Sequence, residues 1–186
     1  GQQQFCEHAQ DYNRPGYAPE IIWHEDQVYK LPDGVSLKEG CLLEPMSIII
    51  RMMDKAQMKA GMRVCVCGGG PIGLLALQTF SLYGATSLTM IEPLADRREL
   101  ATKLGAKYLI DPVSEDVVQR AMELTGGRGY DVVLDCSGSV HAATSLPDIT
   151  AKCGMLIYGA QYPNDYEMPF NLSKYCYFNE ITVTGV

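Results

Sequence analysis

The residues best placed to do chemistry begin with Gly68-x-Gly70-x-x-Gly73, which carries Pro71 and Ile72 in its second gap. It follows the run RVCVC directly and opens the long apolar stretch PIGLLALQTFSLYG. A glycine pattern between a strand and a helix has a physical use. Gly68 permits a tight turn, Gly70 lets a pyrophosphate come close to the backbone, and Gly73 lets the helix pack closely on the strand. Free amide N–H groups and the helix dipole at that terminus favour an anion. No Lys-Ser/Thr pair follows, so the loop is not that of a nucleoside-triphosphatase.

An acid about 20 residues further on completes such a pattern, and Glu92 ends the strand-like run SLTMIE at that distance. Its carboxylate is expected to accept hydrogen bonds from ribose hydroxyls and to repel a 2′-phosphate, which favours NAD over NADP. Arg97 and Arg98 pull the other way, since either suits a phosphate. S-adenosylmethionine methyltransferases also have a glycine loop and an acid ending the second strand. They usually lack a Gly-Pro-aliphatic-Gly continuation and end in an antiparallel strand pair that is not recognisable here. Glu44, just ahead of Pro45, reads on its own as a first-turn acid stabilised by the helix dipole.

These groups need a scaffold. Segments 63–67, 87–92, 107–111, 130–136, 155–160 and 180–186 read as strands. Segments 71–84, 95–105, 114–127 and 139–154 read as helices between them, with Ser114 as one N-cap and Pro147 expected to kink or shorten the last. Strands that are apolar on both faces and alternate with helices mean a parallel sheet covered on both sides. The expected class is α/β, a Rossmann doubly wound six-stranded parallel sheet, with a short irregular β segment ahead of it. That segment contains EIIW (20–23) and QVYKL (27–31). MSIIIRMMDKAQMK reads as a helix with Pro45 at its first position. The expected domains are 1–43, irregular, and 44–186, which binds the dinucleotide.

Composition bounds the function. The chain has 186 residues, a net charge of −7 and no block of basic residues, so a nucleic-acid footprint is not expected. No apolar run reaches membrane-spanning length. Seven cysteines without a C-x-x-C read as small buried hydrophobes in a reducing compartment, and a cytoplasmic location is expected.

VYKLPDGVSLKEGCLLEP, the glycine-loop segment, ADRRELATKLGAKYLIDP, TGGRGYDVVLDCSGS and GMLIYGA, in that order and spacing, resemble the zinc-containing medium-chain alcohol dehydrogenases. The likeness is greatest to the polyol, sorbitol and threonine dehydrogenase types. It implies that Arg97 touches the adenosine ribose and that Cys136, Ser137 and Gly138 meet the adenine end and the bridge. It implies that Tyr158, Gly159 and Ala160 meet the nicotinamide and its ribose through their backbone. It implies that Glu44 faces a catalytic zinc and that Cys6 is one cysteine of a structural zinc lobe. Arg51 stands where many relatives have histidine.

The family's other zinc ligands do not occur among the first 67 residues. The chain is therefore expected to be the cofactor domain of a longer enzyme, with a remnant of a GroES-like catalytic domain, inactive alone and holding little or no zinc. The implied parent oxidises a secondary alcohol by hydride transfer to NAD. A homodimer through the last strand is implied too. A stand-alone nucleotide-binding module is the alternative.

Overall fold

The computed structural model describes residues 19–186. They divide between a first unit ending at Cys41 and a second running from Leu42 to Val186. Cys6 lies outside the described residues.

The described part of the first unit contains no strand. EIIW and QVYKL, expected as β, are separated by a 3-10 turn, Glu25–Gln27, whose N-cap is the His24 side chain. A strand needs a ladder partner to satisfy its backbone, and none is supplied within residues 19–41. Further on, Ser36 caps a single helical turn, α1 (Leu37–Gly40), in a capping box with Glu39.

The second unit opens with α2 (Leu43–Ala56). Pro45 is therefore the third residue of this helix and not the first. That position suits it, because the first four N–H groups of a helix have no intrahelical acceptor. The alternation then runs β1 (Arg63–Cys67), α3 (Pro71–Leu82), β2 (Ser87–Ile91), α4 (Ala95–Lys103) and β3 (Tyr108–Ile110). It continues through α5 (Val117–Leu124), β4 (Tyr130–Asp135), α6 (Val140–Ile149), β5 (Thr150–Tyr158), a π-helix (Ser173–Phe178) and β6 (Thr182–Gly185). Asp116, not Ser114, caps α5, accepting the Gln119 N–H at 2.9 Å. Residues 111–115 are taken up by a turn in which Asp111 and Glu115 hold each other's backbone.

All six strands are parallel, in the order β3-β2-β1-β4-β5-β6. This is the doubly wound order, with its reversal between β1 and β4. Period-two alternation sorts the core. Val64, Val66, Val132 and Leu134 face one side with α2, α3 and α4. Cys65, Cys67, Val133 and Leu156 face the other with α5, α6 and Tyr175 of the π-helix. Buried Tyr130 spends its hydroxyl on Thr89 at 2.9 Å, so its polar tip is satisfied within the sheet.

Candidate functional site

The chain leaves β1 through Gly68, whose φ of +100° favours glycine. A Cβ there would also lie 2.8 Å from Ser137 Cα. A Cβ on Gly73 would lie 1.8 Å from the Gly68 carbonyl oxygen, so α3 can sit this close to the strand only with glycine at that position. Gly70 differs from both. Its φ is −74°, and an added Cβ would meet nothing within 4 Å. No steric requirement of the fold accounts for that glycine. It leaves open backbone at the N-terminus of a twelve-residue helix whose first residue is Pro71.

Glu92 is 3% exposed. Its Oε2 accepts the Gly69 N–H at 2.6 Å and its Oε1 accepts the Leu94 N–H at 2.9 Å. The acid thus braces the glycine loop and the turn after β2. Each oxygen keeps a further lone pair for a ligand hydroxyl. The two arginines expected near it part company. Arg98 donates to the carbonyls of Glu92 and Pro93, both at 2.7 Å, and pairs with Asp111 at 3.0 Å. It is a clamp on the turn, not a phosphate ligand. Arg97 is exposed and lines the cleft.

The cleft, about 910 Å³, opens at the carboxyl ends of the strands and gathers Gly68, Gly70, Glu92, Arg97, Cys136 and Ser137. The remaining expected residues lie outside it. Pro71 opens α3, Ile72 packs against the core, and Gly73 is buried under the loop. Tyr158 gives its hydroxyl to the Ala143 carbonyl at 2.9 Å. Gly159 donates its N–H to the Asp135 carbonyl at 2.9 Å, and the Met52 methyl fills the space where its Cβ would be. Ala160 follows in the same loop.

Sequence reasoning missed the far wall, which comprises Pro112, Asp116 and Val118 beyond β3 and Ser139, His141 and Ser145 beyond β4. Their signal was positional, since residues just past the carboxyl ends of parallel strands border such a crevice.

Burial pushes the Cys67 and Cys136 thiols up to about 12, with the Asp135 carboxylate adding to both. Neither is a thiolate nucleophile near neutrality. The buried Asp135 carboxyl is itself raised by burial, opposed by hydrogen bonds from Ser137. The arrangement suits a nucleotide ligand, with a bare backbone turn for a pyrophosphate, an acid with spare lone pairs, and an apolar-walled cleft.

It does not suit zinc. Glu44 is exposed in the first turn of α2, and among the described residues no three His, Cys, Asp or Glu side chains converge. Among the described residues no helix is long and apolar enough to cross a membrane, and the six cysteines are free thiols.

Residues 71–186 match the family model of the zinc-binding dehydrogenases. The chain is 32% identical to the D-xylulose reductase of Saccharomyces cerevisiae over 155 residues, which is 80% of this chain and 43% of that protein. It is 32% identical to the sorbitol dehydrogenase of Halalkalibacterium halodurans over 189 aligned residues, covering the whole of this chain and 54% of that one. The chain spans about half the length of the curated relatives it matches.

Among solved structures, a protein of Clostridium scindens assigned to the zinc-binding dehydrogenases superposes with a TM-score of 0.89 at 29% identity, over 98% of this chain and 54% of that one. Another from Sinorhizobium meliloti, bound to NADP, superposes with a TM-score of 0.88 at 25% identity, over 97% and 57%. A family model covering more than half of the chain and a fold matching over nearly all of it agree, and the chain belongs to the zinc-binding dehydrogenases, the medium-chain alcohol dehydrogenase family that its motifs resemble.

Proposed function

We propose that this chain holds the nicotinamide dinucleotide of an alcohol or polyol dehydrogenase. The observation that carries the reading is Gly70. The fold needs glycine at 68 and 73 for steric reasons but not at 70, where bare backbone faces open space at a helix N-terminus. Gly68 and Gly70 would take the pyrophosphate, with Pro71, Ile72 and Gly73 forming the helix start behind them. Glu92 and Arg97 would take the adenosine ribose, and Cys136 and Ser137 the bridge. Tyr158, Gly159 and Ala160 would support the nicotinamide end. When bound, the nicotinamide supplies a hydride acceptor for a secondary alcohol carbon. The chain's own part is to orient that ring and exclude water around it.

NAD is the preferred cofactor in this reading, because Glu92 disfavours a 2′-phosphate. The Sinorhizobium meliloti relative bound to NADP makes the contest between Glu92 and Arg97 the point to measure. A D-xylulose reductase, a sorbitol dehydrogenase and an L-threonine 3-dehydrogenase among the relatives support a small hydroxylated substrate.

Residues up to 43 would belong to a catalytic, zinc-bearing unit and 44–186 to the cofactor domain. Glu44 alone cannot hold zinc, which takes three protein ligands in catalytic sites. A cytoplasmic protein fits the free thiols. β6 is an edge strand whose open ladder would pair with a second copy in a homodimer.

The test is a fluorescence titration with NADH and NADPH, and with S-adenosylmethionine as competitor. Saturable NADH binding unaffected by S-adenosylmethionine supports the reading. Tight S-adenosylmethionine binding without NADH binding would overturn it. Glu92→Ala is expected to weaken NADH more than NADPH, and equal losses would remove its ribose role.

A further inference from the structure

Asp135, at the carboxyl end of β4, is fully buried and does not border the cleft, yet it joins two turns beside it. Its Oδ1 accepts the Ser137 N–H at 2.8 Å and the Ser137 hydroxyl at 2.6 Å. Its Oδ2 accepts the hydroxyl of Tyr162, from the loop after β5. Its main-chain carbonyl accepts the Gly159 N–H. The partners of this carboxylate are hydrogen-bond donors, and burial pushes its carboxyl up. A buried charge held only by neutral donors is expensive to keep, so each of those donors matters.

The end of β5 and the loop after it are tied to the same neighbourhood at regular intervals. Tyr158, Tyr162 and Tyr166 follow one another at four-residue spacing, with both neighbouring ring pairs 6.0 Å apart. Tyr158 donates to the Ala143 carbonyl and Tyr166 to the Val140 carbonyl, both in α6. Tyr162 is the member that reaches an acid. The two turns also touch directly. Gly138 has a φ of +67°, and a Cβ there would lie 3.2 Å from the Gln161 carbonyl oxygen.

We propose that Asp135 and Tyr162 are positioning residues that lock the turn after β4 (Cys136–Gly138) to the segment after β5 (Gly159–Gln161). They hold the adenosine and nicotinamide halves of the site in fixed register. The proposal rests on the dinucleotide reading above. Neither side chain touches the cofactor in it. Removing the lock therefore costs the half of the ligand that depends on the β5 segment and spares the half bound at the glycine loop.

The test compares NADH with ADP-ribose, which lacks the nicotinamide. In Tyr162→Phe the NADH dissociation constant is expected to rise about tenfold, the effect of one lost hydrogen bond to a charged group. ADP-ribose affinity should stay within about twofold. Asp135→Asn keeps an acceptor for Ser137 and can turn its amide N–H to the Tyr162 oxygen, so it should give a split in the same direction but smaller. The double variant should be no weaker than the worse single, as expected for two residues in one contact.

Equal losses for both ligands, no loss for NADH, or losses that add in the double variant would each overturn the lock while leaving the dinucleotide reading intact. A wild-type chain that binds neither ligand overturns the reading and the lock together. Should Asp135→Asn fail to fold, the NADH to ADP-ribose split in Tyr162→Phe decides alone.

Discussion

The two ends of the sheet both carry charged side chains, but they use them differently. At the amino end, Arg63 at the start of β1 makes a two-pronged contact with Asp131 of β4, at 2.6 and 3.0 Å, and Asp131 also accepts the Arg63 N–H. Charge meets opposite charge, and the guanidinium nitrogen outside the pair, Nη1, is buried away from any ligand with no partner among the described residues. At the carboxyl end, Glu92 and Asp135 are buried, pair with no cation among the described residues, and are held by backbone and hydroxyl donors from the glycine loop, the turn after β2 and the turn after β4. The first arrangement closes a sheet end. The second shapes backbone around an open cleft. An ion pair is self-sufficient, whereas a carboxylate braced by loop amides fixes the loops as a consequence of satisfying itself.

The sharpest way to break this contrast lies within the glycine loop. Gly73→Ala places a Cβ against the backbone oxygen of Gly68, which no rotamer can relieve. A loss of about 3 kcal/mol is expected, or roughly 6–12 °C in melting temperature. Gly70→Ala places its Cβ in open space at an allowed φ, so its stability should stay within about 0.5 kcal/mol of wild type. Its NADH affinity should fall at least tenfold. Thermal melts and NADH titrations of the two variants check the pair. A Gly70→Ala chain that binds normally would show the open backbone to be unused.

The pH dependence of stability should carry opposite signs at the two ends. Asp131 is raised by burial but lowered more by Arg63, and the balance is a depressed carboxyl. Its contribution is present above its unfolded pKa of about 3.9 and is lost as pH falls through the folded value below that. Asp135 is raised by burial, so its folded form holds its proton longer. The penalty of its charged form grows as pH climbs from about 3.9 through the folded value. Asp131→Asn should cost about 1–2 kcal/mol at pH 7, and that difference should shrink towards pH 3. The deficit of Asp135→Asn should instead be larger at pH 4 than at pH 7. Melts from pH 3 to 7 test this, and two differences that move in the same direction would refute the contrast.

What was legible in the sequence follows from where the physics is local. Strand runs apolar on both faces, the Pro71 helix start and the glycines that follow α3, α4 and α5 (Gly84, Gly105 and Gly126) are decided within a few residues, and they yield the doubly wound sheet. The first unit misled because EIIW and QVYKL satisfy strand propensity, while a strand also requires a partner that local sequence does not reveal. Ser114 lost the α5 cap to Asp116 because both are good caps two residues apart, and Asp111 with Glu115 drew the intervening chain into a turn. At the site, Gly68 and Glu92 were legible from their place at the ends of strands, and Ser137 only through the family resemblance. Asp135 and Tyr162 were not, since their meeting is made by the fold across 27 residues of sequence. Tyr158, Gly159 and Ala160 came from family resemblance and lie outside the cleft itself.

The smallest expected effect separates two adjacent arginines that charge and position alone left equivalent and only the family resemblance told apart. Arg98 has a side chain 18% exposed, and its acceptors are two carbonyls of the turn after β2 and the Asp111 carboxylate just past β3, so it ties those two turns together. Arg98→Ala should therefore lower the melting temperature, and should weaken nucleotide binding only as the turn loosens. Arg97 is exposed at the cleft, so Arg97→Ala should leave stability within about 0.5 kcal/mol of wild type. An exposed cation near a ligand oxygen is worth about 0.3–1 kcal/mol, which corresponds to a two- to fivefold loss in affinity. Because the contact is solvent-exposed, the loss should shrink as salt rises from 50 to 500 mM. The loss should also be greater for NADPH than for NADH, since a 2′-phosphate brings more charge to the same guanidinium. Titrations of both variants with both nucleotides at two salt concentrations read all of this. A selective, salt-sensitive NADPH loss in Arg98→Ala with none in Arg97→Ala would reverse the two roles and reassign the turn's clamp as its ligand.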